Sequence, residues 1–516
     1  MSLAAKVRGG LSSSKAKVWF TKRSGDEQLD EQKKPEVIVR SMDSKKHPET
    51  DGFWTELLAF CQIHVIECSL FVFFLLFSIF CIFNAFGFVG TNELKIRSEY
   101  YKHRVIKHCQ FPENRDLQGL EAESPHPNAT LTSLLVVVRH GDRYGIRMAD
   151  SECQKLNEQE SREFDEYLRV TQRQNLPSLL KMDGKVESLK KLPQEEKCEP
   201  RTLTPRGSIQ EFAMGRYLFG KYRSTKLFNT SESDLKVTVT TSQKQRTVAS
   251  GVALVSGLLD QNQTKVLTPI DFKASSLYYM CTDPGCDCDA NFEKMHDMTA
   301  KEREGLFRAE GPDHLKSAAE QLMKSEDPLG SVIDPNRVLD FLVAGHACQR
   351  KPMPCDENLC ISYNLFGDLV EYSISQSVKM FDMDMGIERQ YRVMSSFPIL
   401  RYLTQLMDRN EKEIQLFASH DTVVASILRV LTGSGNFTDL QVYTSRIVFE
   451  VYETADKKQM LRVLFNGEDI TSSVSFCIGN LEYGLCPASE LQKFVAKGIF
   501  EMAGFATFDK TCHGNF

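Results

Sequence analysis

The sequence predicts an α/β fold over residues 131–516: a mainly parallel sheet with helices packed against it. Three stretches of chain predict it, each an apolar strand that runs into a polar loop and then a helical pattern. The first is Leu134-Leu135-Val136-Val137-Val138, followed by Arg139-His140-Gly141-Asp142-Arg143. Its unbroken apolar run is that of a strand buried on both faces. The second is Leu235–Thr240, which alternates and leads through Ser242-Gln243-Lys244-Gln245-Arg246 into a helical pattern over Thr247–Leu259. The third is Ile414–Ala418, followed by Ser419-His420-Asp421 and a helix over Val423–Leu431 that stops before Gly433. Arg446–Tyr452 and Leu461–Phe465 flank a turn-like segment and read as an antiparallel hairpin. Segments near 150–200 and 270–405 are charged and broken by prolines. They are expected as helical insertions forming a cap over the sheet.

Ahead of this body, Cys68–Val89 is a run of 22 residues without a charge. As a helix it would span about 33 Å, the thickness of a bilayer core, so a transmembrane helix is expected over 65–89. Residues 1–64 are polar and poor in aromatics, which predicts a disordered tail. Residues 90–130, with Pro112, Pro125 and Pro127, read as a polar stem.

Which side the body occupies is contested within the sequence. Lys95, Arg97, Lys102, Arg104 and Lys107 would place it in the cytoplasm by the charge rule. Four Asn-x-Ser/Thr sequons, at Asn128, Asn229, Asn262 and Asn436, all follow the span. So do 12 of the 15 cysteines, an even number. Paired cysteines belong to an oxidising compartment, and the expectation is a cytoplasmic N-terminus with a lumenal body. Cys281, Cys286 and Cys288 with His296 could be imagined around zinc, but the spacing fits no familiar zinc motif, and disulfides are expected instead. The formal net charge of -6 gives no basic field for nucleic acid.

The polar loops carry the chemistry. Hydrolysing a phosphate monoester takes cationic donors for the phosphoryl oxygens, a nucleophile, and an acid for the leaving oxygen. Arg139, Arg143 and Arg246 suit the first role, since a guanidinium binds phosphate bidentately and stays charged. His140 and His420 offer imidazoles, and Asp421 a carboxylic acid. Each has a plainer reading: a solvated loop charge for Arg246, a surface ion pair for Arg143, a helix cap for His420-Asp421. Together they argue otherwise, because all three loops follow apolar strands and would converge at one end of a parallel sheet.

The chain here resembles the histidine acid phosphatases of the phosphoglycerate-mutase-like superfamily. Arg139-His140-Gly141-Asp142-Arg143 matches their signature, with Gly145 in the place of its final proline. Leu203-Thr204-Pro205-Arg206-Gly207, Ser242-x-x-x-Arg246-Thr247 and Ser419-His420-Asp421 resemble three further family segments. The resemblance implies a three-layer phosphoglycerate-mutase-like fold. It implies His140 as nucleophile through a phosphohistidine, and Asp421 as proton donor. Arg139, Arg143, Arg246 and His420 would bind phosphate, with no cofactor or metal. The cysteine segments and Phe465-Asn466-Gly467-x-Asp469-Ile470-Thr471 further resemble single-pass Golgi members of the family. Those imply a phosphorylated saccharide on a proteoglycan core protein as substrate, namely xylose bearing a 2-phosphate. They also imply glycosaminoglycan-synthesis enzymes as neighbours. A broad-specificity lumenal phosphatase and an inactive binding protein of the same fold are the competing readings.

Overall fold

The computed structural model describes residues 65–516 except 147–152, 174–179, 183–197, 229–234, 260–269, 276–279, 281–287, 325–333, 356, 358, 384–385, 410, 435–440, 505–506 and 514–516. The chain divides into two units, Met1–Asn84 and Ala85–Phe516. The tail expected over 1–64 lies outside the described residues. A helix of 45 residues, Val65–Cys109, begins in the first unit. Phe73, Phe74 and Leu76 on it are 60% exposed or more. Among the described residues no helix is long and apolar enough to cross a membrane, and most side chains of the expected span, including those at 79–92, lie outside that description.

Among the described residues the second unit holds nine strands: β1 (Thr130–Arg139), β2 (Leu180–Met182), β3 (Lys236–Thr241), β4 (Ile270–Ala274), β5 (Glu413–Ser419), β6 (Arg446–Glu453), β7 (Gln459–Phe465), β8 (Glu468–Asp469) and β9 (Cys486–Pro487). Their order is β2-β4-β3-β5-β1-β6-β7-β8, with β9 beside β7. β2, β4, β3, β5 and β1 run parallel, whereas β6 lies antiparallel to β1 and the remaining pairs are antiparallel. The sheet is therefore mixed rather than mainly parallel. A continuous apolar run reports burial on both faces but not the direction of the neighbouring strand, and the hairpin β6–β7 adds its strands antiparallel.

Helices cover both faces, so the layers number three. Leu134, Val136 and Val138 face one core with the helices Pro205–Tyr222 and Gln245–Leu259. Leu135 and Val137 alternate to the other face, under Ile387–Arg409 and Asp421–Thr432. Each such buried Val or Leu stabilises the sheet by about 1.5–3 kcal/mol.

The insertions are less separate from the sheet than the sequence suggests. β2 and β4 fall within 150–200 and 270–405 but pair in the sheet, and Ile387–Arg409 packs on it through Val393, Leu400 and Leu403. The helices Asp313–Lys324, Pro335–Asp340 and Tyr363–Asp382 do stand apart, and Leu315, Leu339 and Phe366 from them share one core. Asp289–Glu310 joins that core through Phe307 and the sheet's core through Phe292 and Met295. The stem expected over 90–130 is corrected: Tyr101, Val105 and Phe111 lie in the same core as Leu315 and Phe366. Arg97 pairs with Asp368 at 2.6 Å, and Cys109 is disulfide-bonded to Cys348. Polar composition hid these contacts because only one stripe of the helix is buried.

Cys153–Cys198, Cys288–Cys512, Cys355–Cys360 and Cys477–Cys486 are also bonded. Cys281 and Cys286 lie outside the described residues. With Cys288 in a disulfide, the zinc alternative loses a ligand, and no metal-holding cluster occurs among the described residues.

Candidate active site

All six predicted site residues meet where β1, β3 and β5 end. The backbone N–H of His140 donates to the Ser419 carbonyl at 2.9 Å, and that of Arg139 to Ser445 at 2.9 Å. β1 is thereby pinned on both sides at the residue where the chain leaves the sheet. The rings of His140 and His420, at the ends of parallel strands β1 and β5, lie edge to face with centroids 5.5 Å apart.

The loop after β1 is clamped from beneath. Gly141 and Gly207 pack back to back: a Cβ on Gly141 would lie 2.3 Å from the Gly207 carbonyl oxygen. Thr204 caps the helix Pro205–Tyr222 by accepting from the Gly207 N–H, and its hydroxyl donates to Asp142 at 3.0 Å. Arg206, almost without exposure, bonds both Asp142 (3.3 Å) and Glu160 (2.6 Å). These contacts account for the Leu-Thr-x-x-Gly segment: it holds the His140 loop rather than reacting.

His140 is 2% exposed. Its Nδ1 lies 2.8 Å from the Gly141 carbonyl oxygen. A carbonyl only accepts, so Nδ1 carries the proton and Nε2 keeps its lone pair. Burial first, then Arg246 and Arg139, hold the imidazole well below its ordinary proton affinity, and it is neutral. His420 is neutral for the same reasons, burial and then Arg246. Its two nitrogens are both engaged. Nδ1 accepts from Arg246 at 3.2 Å, which leaves Nε2 to donate to the Ser242 hydroxyl at 2.9 Å. As it stands, His420 orients Arg246 and has no N–H to spare for a phosphoryl oxygen.

The three guanidiniums differ in their surroundings. Arg139 reaches Asp421 at 3.2 Å, donates to the Gln441 carbonyl, and lies over the Tyr443 ring at 4.4 Å. Arg143 is paired with Asp340 and donates to the Tyr144 carbonyl at 3.1 Å. Burial lowers its pKa and Asp340 more than restores it. Among the described residues Arg246 has no carboxylate partner, and burial with the repulsion of Arg143 brings its pKa down to about 9. Burial would raise the pKa of Asp421, but the guanidiniums of Arg139 and Arg143 prevail and hold its carboxyl below the usual range. Three guanidiniums against the carboxylates of Asp340 and Asp421 leave one unit of positive charge. That matches a singly charged phosphate ester.

Asp340, His108, Gln441 and Tyr443 were not singled out by the sequence. They come from the cap, the helix before the body and an irregular loop, and no local pattern marks them. Beside Gly145, the Tyr144 N–H donates to the Thr202 carbonyl at 2.9 Å, and the Gly145 carbonyl accepts from the Arg201 N–H at 3.2 Å. Of the sequons, Asn128 is exposed just before β1, whereas Asn229, Asn262 and Asn436 lie outside the described residues.

The family model described as "Histidine phosphatase superfamily (branch 2)" matches residues 130–466. The chain is 24% identical over 430 residues to 2-phosphoxylose phosphatase 1 of Xenopus tropicalis, covering 79% of this chain and 81% of that one. It is 24% identical over 449 residues to the Danio rerio protein of the same name, covering 79% and 86%. Among solved structures, a phytase from D. castellii is similar at 16% identity and a TM-score of 0.44, over 75% of this chain and 83% of that one.

Proposed function

Because the chain belongs to the histidine phosphatase superfamily (branch 2), we propose that it is a phosphoric monoester hydrolase working through a phosphohistidine on His140. The observation that carries this is the free lone pair of His140 Nε2 among three guanidiniums, fixed by the bond from Nδ1 to Gly141. Nε2 attacks phosphorus, the N–P bond forms and the ester P–O bond breaks. Arg139, Arg143 and Arg246 hold the equatorial oxygens. His420 would join them as a donor once a bound phosphoryl group draws Arg246 from its Nδ1 and the ring proton shifts to that nitrogen, the Ser242 hydroxyl then donating to Nε2. Asp421 protonates the departing oxygen. Water then adds to phosphorus, gives its proton to Asp421, and releases phosphate.

Asp421 is ionised in the free protein and needs a proton before it can act. A phosphate monoester below its second pKa of about 6 still carries one. Phosphoryl oxygens that engage Arg139 weaken its pull on Asp421, which then takes up the proton. Turnover is therefore favoured at mildly acidic pH. The test is chemical. After brief exposure to a phosphate-labelled ester, an alkaline quench should retain label on the chain, as a phosphohistidine does. Label that persists in His140→Ala would sink the assignment.

We propose xylose phosphorylated at its 2-position, on a proteoglycan core protein, as substrate. The names of the two relatives support this. Turnover of a 2-phosphoxylose saccharide beside unrelated phosphoesters decides it, and equal rates on all of them would favour a broad phosphatase. We further propose a Golgi membrane protein spanning once over 65–89, body lumenal, working beside glycosaminoglycan-synthesis enzymes. The uncharged run Cys68–Val89, the disulfides that follow it and the exposed Asn128 support this. Resistance of the body to protease in intact vesicles is the check.

A further inference from the structure

The helix Val65–Cys109 ends beside the candidate phosphate site. It stops because Gln110 takes a left-handed φ of 47°. Phe111 is buried, and Cys109 is bonded to Cys348. This places His108, 4% exposed, against Arg139. His108 Nε2 lies 3.2 Å from Nη1 of Arg139. A guanidinium only donates, so Nε2 accepts and the proton is on Nδ1, which has no hydrogen-bond partner among the described residues. The His108 carbonyl accepts from the Tyr443 N–H at 3.2 Å. The His108 and Tyr443 rings lie edge to face at 5.1 Å.

Arg139 is therefore held on four sides: by His108, the Gln441 carbonyl, the face of Tyr443 and Asp421. Only the last of these is a reacting group. A buried imidazole with an unsatisfied Nδ1–H is costly, and an apolar residue would fill the space without that cost. Residues 130–466 are those that match the family, and His108 lies before them.

We propose that His108 is a positioning residue of the phosphate site, its neutral imidazole fixing the Arg139 guanidinium where the phosphoryl oxygens bind. The inference rests on the reading of Arg139 as a phosphate ligand. The groups that act on His108 electrostatically are Arg139, Asp421, Arg143 and Arg104, with burial and Arg139 together keeping it uncharged. The segment ahead of the body thus contributes to the site, and does more than tether it.

The test uses the full chain, with direct binding of inorganic phosphate and turnover of an aryl phosphate measured in parallel. His108→Leu keeps the bulk and removes the acceptor. It should weaken phosphate binding about tenfold, equivalent to about 1.4 kcal/mol, and raise KM more than it lowers kcat. His108→Gln places an amide oxygen near the Nε2 position and should stay within about threefold of the parent. In an Arg139→Gln background, His108→Leu should cost nothing further, because the two act as a unit. A general loss of fold would instead add to the Arg139→Gln defect. Leu binding phosphate as the parent does, Leu and Gln failing equally, or additive losses would each overturn the proposal. Activity surviving in His140→Ala would instead overturn the phosphohistidine reading while leaving the binding result for His108 standing.

Discussion

Gly207→Ala tests whether the contact between the two glycines sets the geometry of the nucleophile. A Cβ at Gly207 would lie 2.2 Å from the Asp142 carbonyl oxygen, 2.9 Å from the Asp142 nitrogen and 2.6 Å from Leu203 Cδ1, against an ordinary separation of 3.4 Å or more. The nearest neighbour is backbone and cannot swing away. The helix Pro205–Tyr222 and the His140 loop must therefore part by roughly 1 Å to restore contact distance. Overpacking of this kind costs about 1–3 kcal/mol. A displacement of about 1 Å at a reacting group lowers rate about 100-fold. Gly220 lies in the same helix with nothing within 4 Å of its would-be Cβ. Gly220→Ala is the control, and should be neutral or stabilise by up to about 1 kcal/mol. The assay pairs kcat on an aryl phosphate with thermal unfolding of the two variants. If Gly207→Ala keeps parental kcat and Tm, the close approach does not govern the site, and the reasoning fails.

Asp421→Asn removes a carboxylate from the cluster that holds Arg139, so phosphate should bind more tightly. Phosphoenzyme formation should slow by about 100- to 10,000-fold, most for esters with poor leaving groups. Equal slowing across leaving groups would count against the acid role. Glu211 is fully buried with neither oxygen hydrogen-bonded among the described residues, and burial pushes its carboxyl well above the usual range. The folded chain keeps it protonated while the unfolded chain ionises near pH 4.5. Its contribution to stability is therefore full below that pH and is lost as pH rises towards the folded-state value. Glu211→Gln should raise Tm at pH 7 relative to pH 4, and a pH-independent effect would contradict this.

The parts of the fold that repeat a local pattern were legible in the sequence. β1, β3 and β5, the helices after β3 and β5, and the hairpin β6–β7 fall within a few residues of expectation. Arg139, His140, Arg246, His420 and Asp421 were legible because each lies at the end of such a strand or in the short loop and first helical turn that follow it. What escaped was long-range. Asp340 ends a short cap helix 197 residues from its partner Arg143. His108 sits in a segment whose polar face suggested a stem. The direction of β6 depends on which strand it adjoins, and the disulfide partners depend on the finished fold. What steadies Arg143 is likewise remote in sequence, the carboxylate of Asp340.

β1 sits between strands made much later. Ser419 bonds the Val138 carbonyl across 281 residues of chain, and Thr132 bonds Val451 across 319. During synthesis from the N-terminus, the strand that leads into His140 emerges early and cannot be paired until most of the chain has followed. At about 5–20 residues per second that wait is tens of seconds. Through it, an apolar strand with two open edges must be shielded from pairing with other chains. Any chain cut short before Ser419 leaves that strand permanently open, so early termination should produce aggregation and clearance rather than a merely inactive protein.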